Sequence, residues 1–208
     1  MRGAARLLTA LAGVLAVSAC EPRVGTPAEA SQAVRDSYAW MGDAELCPAD
    51  VMPAGARVAG LKEMSCSGAE LPACFSRCRK GDVDSCFWLA HALEQVKSDD
   101  AAAQALYQRA CTLGEPSGCT NRAAGMFAAK SKDPGILRCA ARTFTKTCAV
   151  DDAWGCTMLG NALHEGLGVE QDDARALEVL QKACGAGGRS NDACGAAEKI
   201  TKSIRDSH

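Results

Sequence analysis

Histidines and aromatic residues are scarce in this sequence, and the residue patterns of common cofactor sites are missing. There are three histidines, and aromatic side chains make up 4% of 208 residues. No C-x-x-C or C-x-x-C-H pattern occurs, which argues against a dithiol redox site and covalent haem attachment. Among the cysteines, only Cys74 and Cys78 approach the close spacing of a zinc site. We predict neither a metal nor a cofactor.

Catalytic and nucleic-acid-binding patterns are missing as well. No serine is followed by lysine three positions later, and no G-x-S-x-G occurs, so the usual serine nucleophiles are absent. The net charge is −2, and no basic stripe with interleaved aromatic residues is present. This composition argues against a nucleic acid partner.

The N-terminus has the features of an export signal. Two arginines precede the apolar run LLTALAGVLAV, which is too short to span a bilayer comfortably. The following residues, VSAC, resemble the bacterial lipobox, which implies cleavage before Cys20 and lipidation of that cysteine. Glu21 then favours the outer membrane by the sorting rules of that class. We predict a signal peptide over 1–19 and a tether over 20–45, on an exported protein facing the periplasm or the cell surface.

Cysteines are abundant, and they recur in pairs. Of the 13 cysteines, 12 remain after Cys20, and an exported protein can oxidise them. Three pairs have a spacing of eight residues and a fourth pair has a spacing of ten: Cys78 and Cys86, Cys111 and Cys119, Cys148 and Cys156, Cys184 and Cys194. Their first members lie 33, 37 and 36 residues apart, which is the period of a helical repeat array.

Two helices are predicted in each repeat. The apolar periodicity predicts helix pairs over 85–95 and 100–111, 118–130 and 134–148, and 155–166 and 172–184, with a capping helix over 192–205. The class is therefore all-α, an αα-hairpin solenoid over 78–208, preceded by a lead-in segment over 46–77 with a first helix. Tyr107, Phe144 and Leu180, each four residues before a cysteine, are predicted core positions. Arg109, Lys146 and Lys182, each two before, are predicted helix-end cations.

Geometry favours disulfides within these pairs. Residues eight apart on one helix are separated by about 12 Å, whereas a disulfide needs Cα atoms within about 7 Å. The chain must therefore reverse between the two cysteines, and each intervening segment contains glycine with Asp, Asn or Pro. For Cys47, Cys66, Cys74 and Cys139 three connectivities are possible. Cys66 with Cys74 is one option, leaving Cys47 with Cys139, and the sequence does not choose among them.

The third repeat resembles a known family. The stretch LGNALHEGLGVEQDDARALEVLQKACGAG, residues 159–187, is similar to the Sel1-like repeat, a relative of the tetratricopeptide repeat. Gly166 and Gly168 match its glycine-rich turn. The cysteine spacing resembles the Helicobacter cysteine-rich family, which implies a disulfide in each repeat. The resemblance implies a right-handed superhelix whose concave face binds a protein or peptide.

Some members of that family are described as β-lactamases or penicillin binders, and this implies an alternative function as a weak hydrolase. Thr143 and Lys146 have the spacing of the nucleophile and base of such enzymes with threonine in place of serine, but they fall within a predicted packed helix. The SND stretch at 190–192 is permuted relative to the motif and lies in a turn. We therefore predict no catalytic residues.

The leading functional hypothesis is a lipid-anchored scaffold or adaptor in the bacterial envelope, with an unidentified protein or peptide partner. A third hypothesis is an envelope lipoprotein that only spaces or assembles other factors. Candidate binding residues lie on the first helices of the repeats. His91 and Asn161 occupy equivalent positions, and Arg122 stands where the other repeats have leucine.

Overall fold

The computed structural model describes residues 24–56, 58, 60–96, 100–129, 132–187 and 192–207. These residues form eleven α-helices and a short 3-10 helix at Gly68–Glu70, with no β-strand. The predicted signal peptide and Cys20 lie outside the described residues. The helices are α1 (Pro27–Arg35), α2 (Tyr38–Asp43), α3 (Pro48–Val51), α4 (Leu71–Arg79), α5 (Val83–Gln95), α6 (Asp100–Thr112), α7 (Pro116–Ala129), α8 (Pro134–Ala149), α9 (Ala153–Glu165), α10 (Asp173–Gly187) and α11 (Asp192–Asp206).

From α4 to α11 each helix packs against the next one along the chain. The pairs α5–α6, α7–α8 and α9–α10 are the three predicted repeats, and α11 closes the array on α9 and α10. The predicted core residues Tyr107, Phe144 and Leu180 are at most 1% exposed, so their assignment to the core is confirmed. The prediction of an all-α solenoid with disulfide-stapled repeats is also confirmed. No helix within the described ranges has both the length and the apolar character needed to cross a membrane.

Disulfides join the end of one helix to the start of the next at four junctions: α4–α5, α6–α7, α8–α9 and α10–α11. The four bridges at the repeat junctions have Cα–Cα distances between 4.4 and 4.6 Å: Cys78–Cys86, Cys111–Cys119, Cys148–Cys156 and Cys184–Cys194. Two further bridges, Cys66–Cys74 and Cys47–Cys139, correspond to one of the connectivities that the sequence leaves open.

One backbone turn recurs inside three of these bridges. The third residue after the first cysteine has a positive φ: 91° at Gly81, 101° at Gly114 and 67° at Asp151. The N–H of this residue donates to the carbonyl of the first cysteine. The N–H of the following residue donates to the carbonyl of the residue that precedes the cysteine, and the two bonds together form a Schellman ending. The chain reversal that disulfide geometry requires is thus made by the helix ending itself.

Cations near the helix ends connect neighbouring repeats. Arg109 Nε donates to the carbonyl of Cys78 at 3.2 Å, and Lys182 Nζ donates to the carbonyl of Cys148 at 2.6 Å. Both carbonyls belong to the last turn of an earlier helix, α4 or α8, and each also accepts the turn N–H of the Schellman ending. These cations therefore stabilise the preceding repeat as well as their own helix end. Lys146 differs, because it bonds the N-terminal segment.

The N-terminal segment differs from the predicted tether over 20–45. From Val24 onward it is folded, with α1 beginning at a capping box between Thr26 and Glu29. Ala30 and Val34 are fully buried, and α1 packs against α6 and α4. The polar composition of this stretch suggested a tether, but its small apolar residues fit closely onto α6. The first helix accordingly begins at Pro27, before the lead-in segment at 46–77 where it was predicted.

Candidate functional site

The three predicted binding residues do not converge in the structure. His91 is half-buried on α5, with its ring edge-on to Trp88 at 5.6 Å between centroids, and lines a groove of about 520 Å³. Arg122, on α7, lines a different groove. Asn161 is half-buried on α9, and its amide lines neither of these two grooves. Equivalent positions in a repeat array therefore do not form one site here.

Residues 44–50, which run from the end of α2 into α3, lie across the helices of the first two repeats. Carbonyl oxygens of this segment accept hydrogen bonds from long side chains. Arg122 Nη2 donates to the carbonyl of Ala44 at 2.5 Å, Gln108 Nε2 to that of Leu46 at 3.4 Å, and Lys146 Nζ to that of Ala49 at 2.5 Å. The Cys47–Cys139 bridge attaches the same segment covalently to α8. Sequence reasoning missed this arrangement, although a bridge from Cys47 into the array was one of its open alternatives.

Thr143 and Lys146, which have the nucleophile–lysine spacing of a hydrolase, both bind this segment. The Thr143 hydroxyl accepts the Ala49 N–H at 3.2 Å and donates to the carbonyl of Cys139 at 2.9 Å. Its side chain is fully buried. Both residues therefore have structural partners, and the buried hydroxyl has no room for a substrate.

A second groove begins where segment 44–50 begins, and we call it the Arg122 groove. Its volume is about 660 Å³, and it lies among α2, α5, α6, α7 and the start of α8. Its polar lining residues are Glu45, Glu94, Asp100, Gln104 and Arg122, and its larger apolar ones are Met41, Met126 and Ile136. The combination of a few polar groups with apolar walls is typical of a ligand-binding cleft, and the methionines make those walls adaptable.

Two buried polar atoms in the lining of the Arg122 groove have no hydrogen-bond partner. They are the Arg122 Nε and the Gln104 Oε1. Burial lowers the pKa of Arg122, and nearby Glu45 partly offsets this effect. The Gln104 amide packs directly against Gly125, where a Cβ would overlap it. A glycine at this position therefore makes room for the glutamine in the floor of the groove.

Glu94 is held in place at the groove edge by a tyrosine. The Tyr107 hydroxyl donates to Glu94 Oε2 at 2.9 Å. Burial raises the pKa of Tyr107 well above its usual value, and the Glu94 charge raises it further. Tyr107 therefore remains a hydrogen-bond donor to Glu94 at all ordinary pH values.

A buried carboxylate joins the second and third repeats away from this groove. Asp152 caps α9 by accepting the Gly155 N–H at 2.9 Å, and its side chain also accepts the hydroxyls of Thr120 and Ser117. Burial raises the pKa of Asp152 despite these hydrogen bonds. The equivalent residue in the first repeat, Asp82, is exposed and caps α5, and its hydrogen bond with Ser85 lowers its pKa.

These opposite shifts predict opposite pH dependences. The folded pKa of Asp152 exceeds its unfolded value, so its contribution to stability is greatest at low pH and declines as pH rises through the folded pKa. Asp152→Asn removes this decline. The free energy of unfolding of the variant minus that of the parent protein should therefore be larger at pH 7 than at pH 4. The expected gain is about 1.4 kcal/mol for each unit of pKa shift.

Asp82→Asn is the matched control. Because the folded pKa of Asp82 lies below its unfolded value, its contribution to stability is lost only as pH falls below about 4, so this variant should change little relative to the parent between pH 4 and pH 7. Urea unfolding of the three proteins at both pH values measures the differences. If both variants gained the same free energy of unfolding relative to the parent between pH 4 and pH 7, the burial effect assigned to Asp152 would be contradicted.

One cluster of sulfur and oxygen atoms resembles a metal site in composition. The side-chain ligand atoms of Cys184, Cys194 and Glu198 lie within 4.8 Å of one another. Both sulfur atoms belong to the Cys184–Cys194 disulfide, so neither is available as a thiolate ligand. We assign no metal to this cluster.

Stacked helix pairs of this period, each closed by a disulfide, define the chain as a cysteine-rich αα-solenoid with the Sel1-repeat fold. A Sel1 repeat protein from Oxalobacter formigenes has a similar structure, with a TM-score of 0.50 and 22% identity over 66% of this chain and 98% of that one. Helicobacter pylori cysteine rich protein B is 28% identical, with a TM-score of 0.45, over 61% of this chain and 90% of that one. No family model and no curated protein matched the sequence.

Proposed function

We propose that this chain is a lipid-anchored scaffold or adaptor of the bacterial envelope and that it binds a protein partner through the Arg122 groove. A Sel1-repeat solenoid is suited to protein interaction, because stacked helices present extended surfaces. The observation that carries the proposal is a groove of about 660 Å³ in whose lining the Arg122 Nε and the Gln104 Oε1 have no partner. Buried polar atoms normally have partners in folded proteins, and a bound ligand would supply them.

The anchoring half of the proposal depends on the sequence. The lipobox-like VSAC implies a lipid on Cys20, and 12 further cysteines fit an oxidising compartment outside the cytoplasm. Six disulfides join all twelve in pairs. The segment between Cys20 and the first helix at Pro27 is then a short link between the membrane surface and the solenoid.

A photoreactive amino acid placed at Met126 should cross-link the partner in intact envelopes, because Met126 lines the Arg122 groove. The same amino acid at Glu178, an exposed position on α10, is the control and should give no such product. Equal products from both positions, or none from Met126, would refute binding in the groove.

The same cells test the anchor. Cys20→Ser should abolish incorporation of a radiolabelled fatty acid and move the protein out of the membrane fraction. Continued labelling of that variant would refute lipidation at Cys20, without bearing on the groove.

A further inference from the structure

We propose that the Arg122 groove binds an extended, basic segment of the partner protein, placed in line with residues 44–50 of this chain. This inference rests on the proposed function and adds the chemistry of the partner. It draws on three observations: the helices that the groove shares with segment 44–50, the unpaired polar atoms, and the charges of the two regions.

The same three helices contact segment 44–50 and line the groove. On α6, Gln108 binds the segment and Gln104, one helical turn earlier, lines the groove. On α7, Arg122 both binds the segment and lines the groove, and Met126, one helical turn later, also lines the groove. On α8, Cys139 is bonded to the segment and Ile136 lines the groove. The groove is therefore the uncovered continuation of a surface that already holds a chain segment.

The polar groups available in the groove suit a peptide backbone. In the covered part, side-chain amide and guanidinium groups hold main-chain carbonyls, as Gln108 does for Leu46. Gln108 Oε1, in this covered part, is a buried atom without a partner, and in the open part Gln104 Oε1 is an unpaired acceptor and Arg122 Nε is an unpaired donor. A peptide group offers one N–H and one carbonyl, and small rotations of these two side chains would pair both. The cost of leaving the two atoms buried without partners is then removed on binding.

The part of the surface covered by segment 44–50 and the open Arg122 groove differ in charge. Segment 44–50 carries Glu45 and Asp50, and it meets Arg122, Lys146 and Arg142, with Arg142 Nη2 at 2.9 Å from Asp50 Oδ2. An acidic segment is therefore held by basic side chains.

The described lining of the open groove has the opposite balance. Glu94 and Asp100 are exposed acids that line only the open part. Glu45 and Arg122 belong to both parts, and Arg122 is the one base in this lining. Lysine or arginine side chains of a partner would meet the acids, and their aliphatic parts would pack on Met126 and Ile136.

Peptide binding to the purified mature protein tests this inference. The probes are two dye-labelled peptides of about eight residues, long enough to span roughly 26 Å when extended, with valine alternating with lysine in one and with glutamate in the other. At low salt the lysine peptide should bind at least about tenfold more tightly, and added salt should weaken it. Fluorescence anisotropy measures both affinities.

Substitutions of acidic residues test whether the lysine peptide binds in the Arg122 groove. The double change Glu94→Gln and Asp100→Asn should weaken the lysine peptide about three- to tenfold, because two exposed charge pairs are lost. The side-chain amide introduced at position 94 would still accept the Tyr107 hydroxyl, so the groove should keep its shape. Glu178→Gln on α10 removes an acid outside the groove and should leave the affinity unchanged. Thermal melting checks that all variants are folded.

The inference is overturned if the glutamate peptide binds as tightly as the lysine peptide, if the double variant binds normally, or if neither peptide binds. In each case, persistence of the Met126 cross-link would show that the groove binds a partner of different chemistry. Loss of that cross-link would instead refute the proposed function itself.

Discussion

Replacing Cys47 and Cys139 together by alanine should lower the free energy of unfolding by about 4.5 kcal/mol, more than removing any of the repeat-junction bridges. The two cysteines are 92 residues apart, so their bridge closes the largest loop among the six disulfides. In the chain-entropy model the stabilisation grows with the logarithm of loop length. The bridge also holds segment 44–50 on α8, and its removal should increase hydrogen exchange in that segment.

The matched control is the double alanine variant of Cys111 and Cys119, whose separation is eight residues. The same model gives about 2.5 kcal/mol for a loop of that size. Guanidinium unfolding under non-reducing conditions compares the two variants, and non-reducing peptide mapping of the parent protein checks that the bridges are formed. An equal loss in both variants would contradict the loop-length argument. Free thiols at Cys111 and Cys119 in the parent would refute the junction bridge.

Gly168→Ala should destabilise the protein by about 2–5 kcal/mol through two additive causes. Gly168 has φ 74°, which L-residues with a Cβ adopt at a cost. A Cβ at this position would also overlap the carbonyl of Leu137 and crowd the Arg138 nitrogen, 2.7 Å away. Both obstacles are backbone atoms of α8, which cannot rotate away as a side chain would. The α9–α10 turn would have to move off α8.

Gly166→Ala separates the two causes. Gly166 has a similar φ of 66°, but a Cβ there would meet its nearest neighbour, Gln171 Cβ, at an ordinary 3.5 Å. The expected loss is about 1–2 kcal/mol, from the backbone conformation alone. Urea unfolding measures both variants. If Gly166→Ala costs as much as Gly168→Ala, close packing of the turn on α8 is not the reason for glycine at 168.

Local patterns in the sequence predicted the repeats well. Helix pairs, turn glycines and the core residues Tyr107, Phe144 and Leu180 follow from contacts between residues three or four apart on a helix. Gly166 and Gly168 match the glycine-rich turn of the family that the third repeat resembles, and both have positive φ. These features repeat about every 35 residues, and the repetition strengthens each separate indication.

The candidate site was harder to predict. His91 and Asn161 were predicted binding residues as equivalent repeat positions, and Arg122 as a polar residue at a leucine position. In the structure His91 and Arg122 line different grooves, and Asn161 lines neither of them. Arg122 was singled out because it interrupts an apolar position. The structure explains this choice, since its Nη2 holds the carbonyl of Ala44. A deviation from the repeat pattern was therefore more informative than the pattern.

The sequence by itself determined the solenoid and its junction bridges, because each bridge and each turn joins residues at most ten positions apart. Tertiary structure alone decided the path of segment 44–50 and the existence of the Arg122 groove. The hydrogen bonds that hold this segment join residues 62 to 97 positions apart. No local periodicity encodes such contacts, since they arise only after the helices of successive repeats have stacked into one surface.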